Sequence, residues 1–185
     1  MRLFVALSPP REALAEVAGA VRSVGDRWPE LRWIAPELWH VTLAFLGEVP
    51  ERALPSLTTR LARAAGRYPP MTLAFAGAGA FPSATRANVL WCGVRGGGTV
   101  LPKLAASLAA GAHRAGAREP ERRPYHPHLT LGRARTGPDV RELVESLASF
   151  EGTPWPADAV HLISSHLGPH VRYEPVDAWP LTGRR

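Results

Sequence analysis

The sequence predicts an α+β fold made from one structural unit used twice, and three observations predict it. The phrase His40-Val41-Thr42-Leu43 returns as His128-Leu129-Thr130-Leu131. The offset between the histidines, 128 − 40 = 88, carries Pro50 onto Pro138, and each proline opens a segment whose apolar residues recur at helical spacing. Shifted by the same 88, the strand-like Leu3 to Leu7 falls on Trp91 to Arg95, and Leu73 to Phe81 lies close to His161 to Pro169. The period is too long and the copies too few for a solenoid. Two copies related by a pseudo-twofold axis place both histidines on facing walls of one groove. The expectation is a single domain over residues 1–185, with repeat one about 1–88, repeat two 89–185, and their strands interleaved.

Taken in order, Arg2 to Leu7 is short and apolar, a buried strand. Pro9 and Pro10 end it and begin a helix to about Val24, with Leu14, Val17, Ala18 and Val21 on one face. A loop over 25–30 precedes a short strand at Trp33-Ile34, and Pro36-Glu37-Leu38 leads into the first motif strand, Trp39 to Leu46, closed by Gly47. The Pro50 helix runs to Ala65 with Leu54, Leu57 and Leu61 inward. Met71 to Phe81 is a strand interrupted by Gly77 and Gly79, where a bulge or a close backbone approach is expected. The turn Pro82-Ser83-Ala84-Thr85 returns the chain through Val89 to Val94 as its antiparallel partner. Gly96-Gly97-Gly98 precedes a helix over 100–115, and Arg118 to Tyr125 is a loop dense in charge and proline. The second motif strand, His128 to Gly132, leads into the Pro138 helix, which ends near Phe150. Ala159 to Leu167 and Val176 to Leu181 form a closing hairpin around Gly168-Pro169.

In a strand successive side chains face opposite ways, so His40 shares a face with Thr42, and His128 with Thr130. Val41, Leu43, Leu129 and Leu131 take the other face, toward a core. Histidine both donates and accepts a proton near neutrality. Two of them across a reacting centre, one neutral and one protonated, make a general base and a general acid. Hydroxyls at the same depth suit the non-bridging oxygens of a phosphoryl group, whose charge needs stabilisation as phosphorus becomes five-coordinate. Arg133 could add positive charge, yet its parity in an unbroken strand points it away from the cleft. Bringing it in requires a bulge or bend at Gly132.

The formal net charge of +6 suits a polyanionic partner, and nearly all of the basic residues are arginine, Lys103 being the only lysine. Lys103, in Leu101-Pro102-Lys103-Leu104 at a helix start, is not in the setting that a ligase forming a covalent lysyl-nucleotide needs, and acyl transfer lacks a nucleophile elbow. Gly96 to Gly98 lacks the lysine and Ser/Thr of a Walker loop. Cys92, the single cysteine, lies in an apolar strand and reads as a small hydrophobe. His113 ends a helix, His126 orients the second motif strand, and His161, His166 and His170 have loosely zinc-like spacing without a cysteine pair. No metal or cofactor is expected. With no apolar run long enough to span a bilayer and no signal-like N-terminus, the chain is expected to be cytoplasmic and to meet no membrane; separately, a monomer is expected.

These motifs resemble the 2H phosphoesterases. The opening Arg2 to Leu7, the stretch Trp39 to Val49, the phrase Pro127 to Arg133, and Ser165 to Pro169 with Tyr173 are similar specifically to the bacterial and archaeal RNA 2′,3′-cyclic phosphodiesterases, also called 2′-5′ RNA ligases. The resemblance implies a bilobal fold, two antiparallel sheets facing a central cleft with helices outside. It also implies metal-free hydrolysis of an RNA or nucleotide 2′,3′-cyclic phosphate to a 2′-phosphate. Carried over by position, His40 is the proton donor and His128 the proton acceptor. Thr42, Thr130 and Arg133 hold the phosphoryl group, with the rings of Phe4 and Tyr125 assisting. From the residues alone the two histidines are interchangeable. A physiological 2′-5′ ligase and a non-catalytic binder of RNA ends are the alternatives.

Overall fold

The computed structural model describes residues 1–183. Its strands are β1 (Arg2–Leu7), β2 (Arg32–Trp33), β3 (Val41–Glu48), β4 (Met71–Ser83), β5 (Arg86–Gly96), β6 (His128–Arg133), β7 (Trp155–Ala157), β8 (Ala159–His166) and β9 (Arg172–Pro180). The helices are α1 (Arg11–Arg22), α2 (Leu54–Gly66), α3 (Val100–His113) and α4 (Arg141–Leu147). Every strand pair is antiparallel. The order β7-β4-β5-β6-β3-β1-β8-β9, with β2 alongside β6, makes one curled sheet. It consists of two four-stranded halves joined through a single cross-strand pair, Val41 opposite Leu129. The two sheets expected from the sequence are these halves, and the motif strands meet at the seam between them.

Burial follows the parity argument. Val41, Leu43, Leu129 and Leu131 are at most 4% exposed, whereas His40, Thr42, His128 and Thr130 are half-buried. The helices cover the apolar face: α2 and α3 pack together, α3 lies on β3, and α1 and α4 lie on β4. Leu57 and Leu61 of α2 and Leu101, Leu104 and Leu108 of α3 are almost fully buried. Each contributes about 1.5–3 kcal/mol of transfer free energy.

The register refines the 88-residue offset. It holds for the motif strands, but Ala6 faces Thr42 as Trp91 faces Thr130, an offset of 91 − 6 = 85 for the first strands. His161 faces Ala6 as Gly79 faces Trp91, an offset of 161 − 79 = 82 for the outer ones. The segment from Thr130 to His161 is thus six residues shorter than that from Thr42 to Gly79, and α4, with 7 residues, is six shorter than α2, with 13. The helix expected from Pro138 to Phe150 is confined to Arg141–Leu147. The Pro50 segment opens as a 3-10 turn, Glu51–Ala53, before α2 begins.

Both interrupting glycines do what was expected. Gly77, with φ +63°, sits where the β4–β5 register slips between Ala76 and Ala78. At Gly79 a Cβ would run into the Trp91 indole, so the missing side chain makes room for that ring.

Candidate active site

The two motif histidines are held in the same way. The His40 Nδ1–H donates to the Leu38 carbonyl at 2.9 Å, and the His128 Nδ1–H donates to the His126 carbonyl at 2.7 Å. A carbonyl only accepts, so each bond assigns the proton to Nδ1 and leaves Nε2 as the nitrogen free for chemistry. Local sequence explains the tethers. Pro36 starts the 3-10 turn that presents the Leu38 carbonyl, and buried Trp39 anchors the following step. In the second copy Pro127 keeps the residue before it extended, which turns the His126 carbonyl back toward the ring.

Aromatic walls stand beside each imidazole. Phe4 lies 4.6 Å from His40 and Tyr173 meets that ring edge-on at 5.3 Å. Around His128, Phe81 stands edge-on at 5.2 Å, with Trp91 and His126 each at 6.3 Å. Burial is the largest cause that holds the pKa of both imidazoles below their ordinary value of 6.5. The backbone tethers act the other way. The charge of Arg133 lowers both, His128 lowers His40, and His126 lowers His128.

Arg133 reaches the site through the bulge that its parity requires. Leu90 faces Gly132 while Trp91 faces Thr130, so Leu131 has no partner on β5. Val89 and Trp91 share a face, and their partners Arg133 and Thr130, three apart, therefore share it too. The slip recurs at Leu43, the residue 88 earlier, between the pairs Val5–Ala44 and Ala6–Thr42.

The other expected residues fall as follows. Thr42 and Thr130 lie on the face of the histidines, and among the described residues no hydrogen bond engages either hydroxyl. Phe4 is 4% exposed and acts as the floor under His40. The Tyr125 hydroxyl donates to the Thr42 carbonyl at 2.9 Å. It thereby straps the loop over 118–127 to the first motif strand. Sequence reasoning gave no site role to Tyr173, Phe81 or Trp91, and read His126 only as an orienting residue. These side chains come from β9, β4, β5 and the segment before β6, and no local pattern marks rings that converge only across strands.

The remaining candidates stay outside. Cys92 is buried in β5, and burial pushes its thiol up to about 12. His166 pairs with Glu174 at 3.1 Å. Among the described residues no cluster of three or more His, Cys, Asp or Glu could hold a metal ion, and no helix is long and apolar enough to cross a membrane.

Chemically, the site offers two Nε2 atoms, two free hydroxyls and one guanidinium around a gap walled by rings. A family model described as the 2'-5' RNA ligase superfamily matches residues 9–169. The RNA 2',3'-cyclic phosphodiesterase of Geobacillus stearothermophilus is 29% identical over 97% of this chain, which spans only 57% of that relative. That of Escherichia coli strain K12 is 33% identical over 98% of this chain and 97% of its own. Among solved structures, TT0787 of Thermus thermophilus matches with a TM-score of 0.81 at 30% identity over 100% of both chains. E. coli LigT complexed with 3'-AMP matches with a TM-score of 0.77 at 29% identity over 98% of each chain.

Proposed function

The chain belongs to the 2'-5' RNA ligase superfamily, and from that premise we infer that it is an RNA 2′,3′-cyclic phosphodiesterase working by two-histidine acid–base catalysis. The substrate is an RNA or nucleotide that ends in a 2′,3′-cyclic phosphate. His128 Nε2 takes a proton from water as its oxygen attacks phosphorus opposite O3′. The P–O3′ bond breaks, and His40 Nε2–H protonates the departing O3′, leaving a 2′-phosphate. Thr42, Thr130 and Arg133 meet the charge on the non-bridging oxygens. Solvent then returns a proton to His40 and removes one from His128.

The observation that carries this reading is the matched pair of tethers, Nδ1–H to Leu38 and Nδ1–H to His126, which leave the same nitrogen of each ring available. Depressed pKa values suit His128 as a base. For His40 to act as an acid it must gain a proton, and the bound phosphate anion raises its pKa to that end. The acid and base assignments rest on kinship, because the tethers are alike. The paired walls of the cleft and the matching strand orders β3-β1-β8-β9 and β6-β5-β4-β7 support one unit used twice. By microscopic reversibility the same groups join a cyclic-phosphate end to a 5′-hydroxyl in a 2′-5′ linkage, which the family description favours as a second activity of one site.

The test is incubation of an RNA ending in 2′,3′-cyclic phosphate with wild type, His40→Ala and His128→Ala in EDTA, the product phosphate being assigned by position. The expected result is a 2′-phosphate from wild type and a loss of about 10²–10⁴-fold in each variant. Turnover that survives either substitution, or that stops in EDTA, defeats the mechanism. Tight binding with the cyclic phosphate left intact would instead identify a binder of RNA ends.

A further inference from the structure

We propose that the cavity beside Arg133 is a groove for the phosphodiester and nucleotide immediately upstream of the reacting end, so that the protein selects oligoribonucleotides over cyclic mononucleotides. This rests on the phosphodiesterase reading above. A cavity of about 600 Å³ lies at the ends of β2, β5 and β6, where Arg32, Arg133 and Arg135 converge with Glu30, Asn88 and Thr136. That volume is within the range of about 300–1,000 Å³ typical of small-ligand sites, which leaves room for a nucleotide.

Arg32 and Arg133 are direct cross-strand partners. Like charges placed directly opposite in an antiparallel pair repel and cost stability. Among the described residues no carboxylate lies within ion-pair distance of Arg32, Arg133 or Arg135. Three arginines against the one carboxylate of Glu30 leave the lining with a net positive charge, and an anion bound among the guanidinium groups relieves the repulsion. Arginine forks match phosphate oxygens two at a time.

Arg133 links the cavity to the catalytic cleft, because it lines the cavity and, past the slip at Leu131, shares the face of Thr130. A strand whose terminal phosphate lies between the histidines extends past Arg133 toward Arg32 and Arg135. Asn88 and Thr136 offer neutral donors and acceptors, and the Glu30 carboxylate accepts from a hydroxyl or an amino group. A sugar and base satisfy such a lining, and a free anion does not.

Initial-rate kinetics would compare a 2′,3′-cyclic mononucleotide with a trinucleotide ending in the same cyclic phosphate, on wild type, Arg32→Ala, Arg135→Ala and the double variant. Wild type is expected to favour the trinucleotide. The double variant should lose about tenfold more kcat/KM on the trinucleotide than on the mononucleotide, through KM, as befits a lost charge-assisted contact. The slope of log kcat/KM against log salt for the trinucleotide should flatten by about 0.7 for each phosphate contact removed. Equal losses on both substrates, or none on the trinucleotide, overturn the groove while leaving the phosphodiesterase reading intact. A wild type that turns over neither substrate overturns both.

Discussion

Tyr125→Phe isolates one bond that joins the two histidine-bearing halves. The Tyr125 hydroxyl donates to the Thr42 carbonyl at 2.9 Å across 83 residues of sequence. Burial pushes the phenol above the usual tyrosine range, so the O–H stays a donor at any working pH. Phenylalanine keeps the ring, and with it the packing against the core, so the perturbation is the hydroxyl alone. Removing it leaves a partly buried carbonyl short of a partner, at a cost of about 1–2 kcal/mol. For a chain of this size each kcal/mol lowers Tm by about 2–4 °C, so the melting temperature should fall by about 2–8 °C. Thermal melts followed by circular dichroism read that change, and initial rates on a cyclic mononucleotide read its consequence. A bond that only positions the Thr42 strand predicts that kcat falls by less than about tenfold with KM nearly constant. An unchanged Tm would refute the strap. A KM rise of about a hundredfold with Tm intact would show instead that the hydroxyl binds substrate directly.

Three further predictions concern the walls and the charge around the histidines. Both imidazoles titrate below 6.5 in the free protein, so the bell-shaped kcat/KM profile, governed by the free enzyme, should peak below pH 6.5. The kcat profile should lie at higher pH, since bound phosphate favours the protonated acid. Arg133→Ala removes a charge that lowers both rings, and should move the kcat/KM optimum upward while reducing its height. A downward shift would sink that electrostatic account. Gly79→Val forces a side chain into the Trp91 indole, at about 1–3 kcal/mol of overpacking. Displacing Trp91 disturbs the wall that it shares with His126 and His128, so activity should drop with the melting temperature. Wild-type behaviour in both would mean that the ring moves freely.

Much of the fold was legible because the apolar patterning is strong where strands are buried on one side and helices lie on a sheet. One strand that was missed and one that was expected too short lie at the two ends of the sheet. β7 carries Pro156 in its middle, and β9 starts at Arg172, well before the expected Val176, with Pro175 inside it. An edge strand tolerates a missing donor, so proline hides a strand there that it would forbid in the interior. The expected strand at Trp33-Ile34 was nearly placed, and β2 is Arg32–Trp33. Helix α4 was overestimated because its proline-opened start copies that of α2, while nothing in the pattern marks where the six absent residues belong.

The sequence by itself determined which four motif side chains share the face of the candidate site. Residues two apart on a strand must share a face, and a phrase repeated in two copies of one unit must appear twice around a shared axis. His40, Thr42, His128 and Thr130 follow from that geometry without any long-range knowledge. Only the tertiary structure decided what surrounds them. The walls of Phe4 with Tyr173 and of Phe81 with Trp91, the entry of Arg133 through the slip at Leu131, and the Tyr125 strap all depend on register between strands far apart in the chain. Register is set by collective packing and by where one extra residue is accommodated, and a single chain read in order carries no local mark of it.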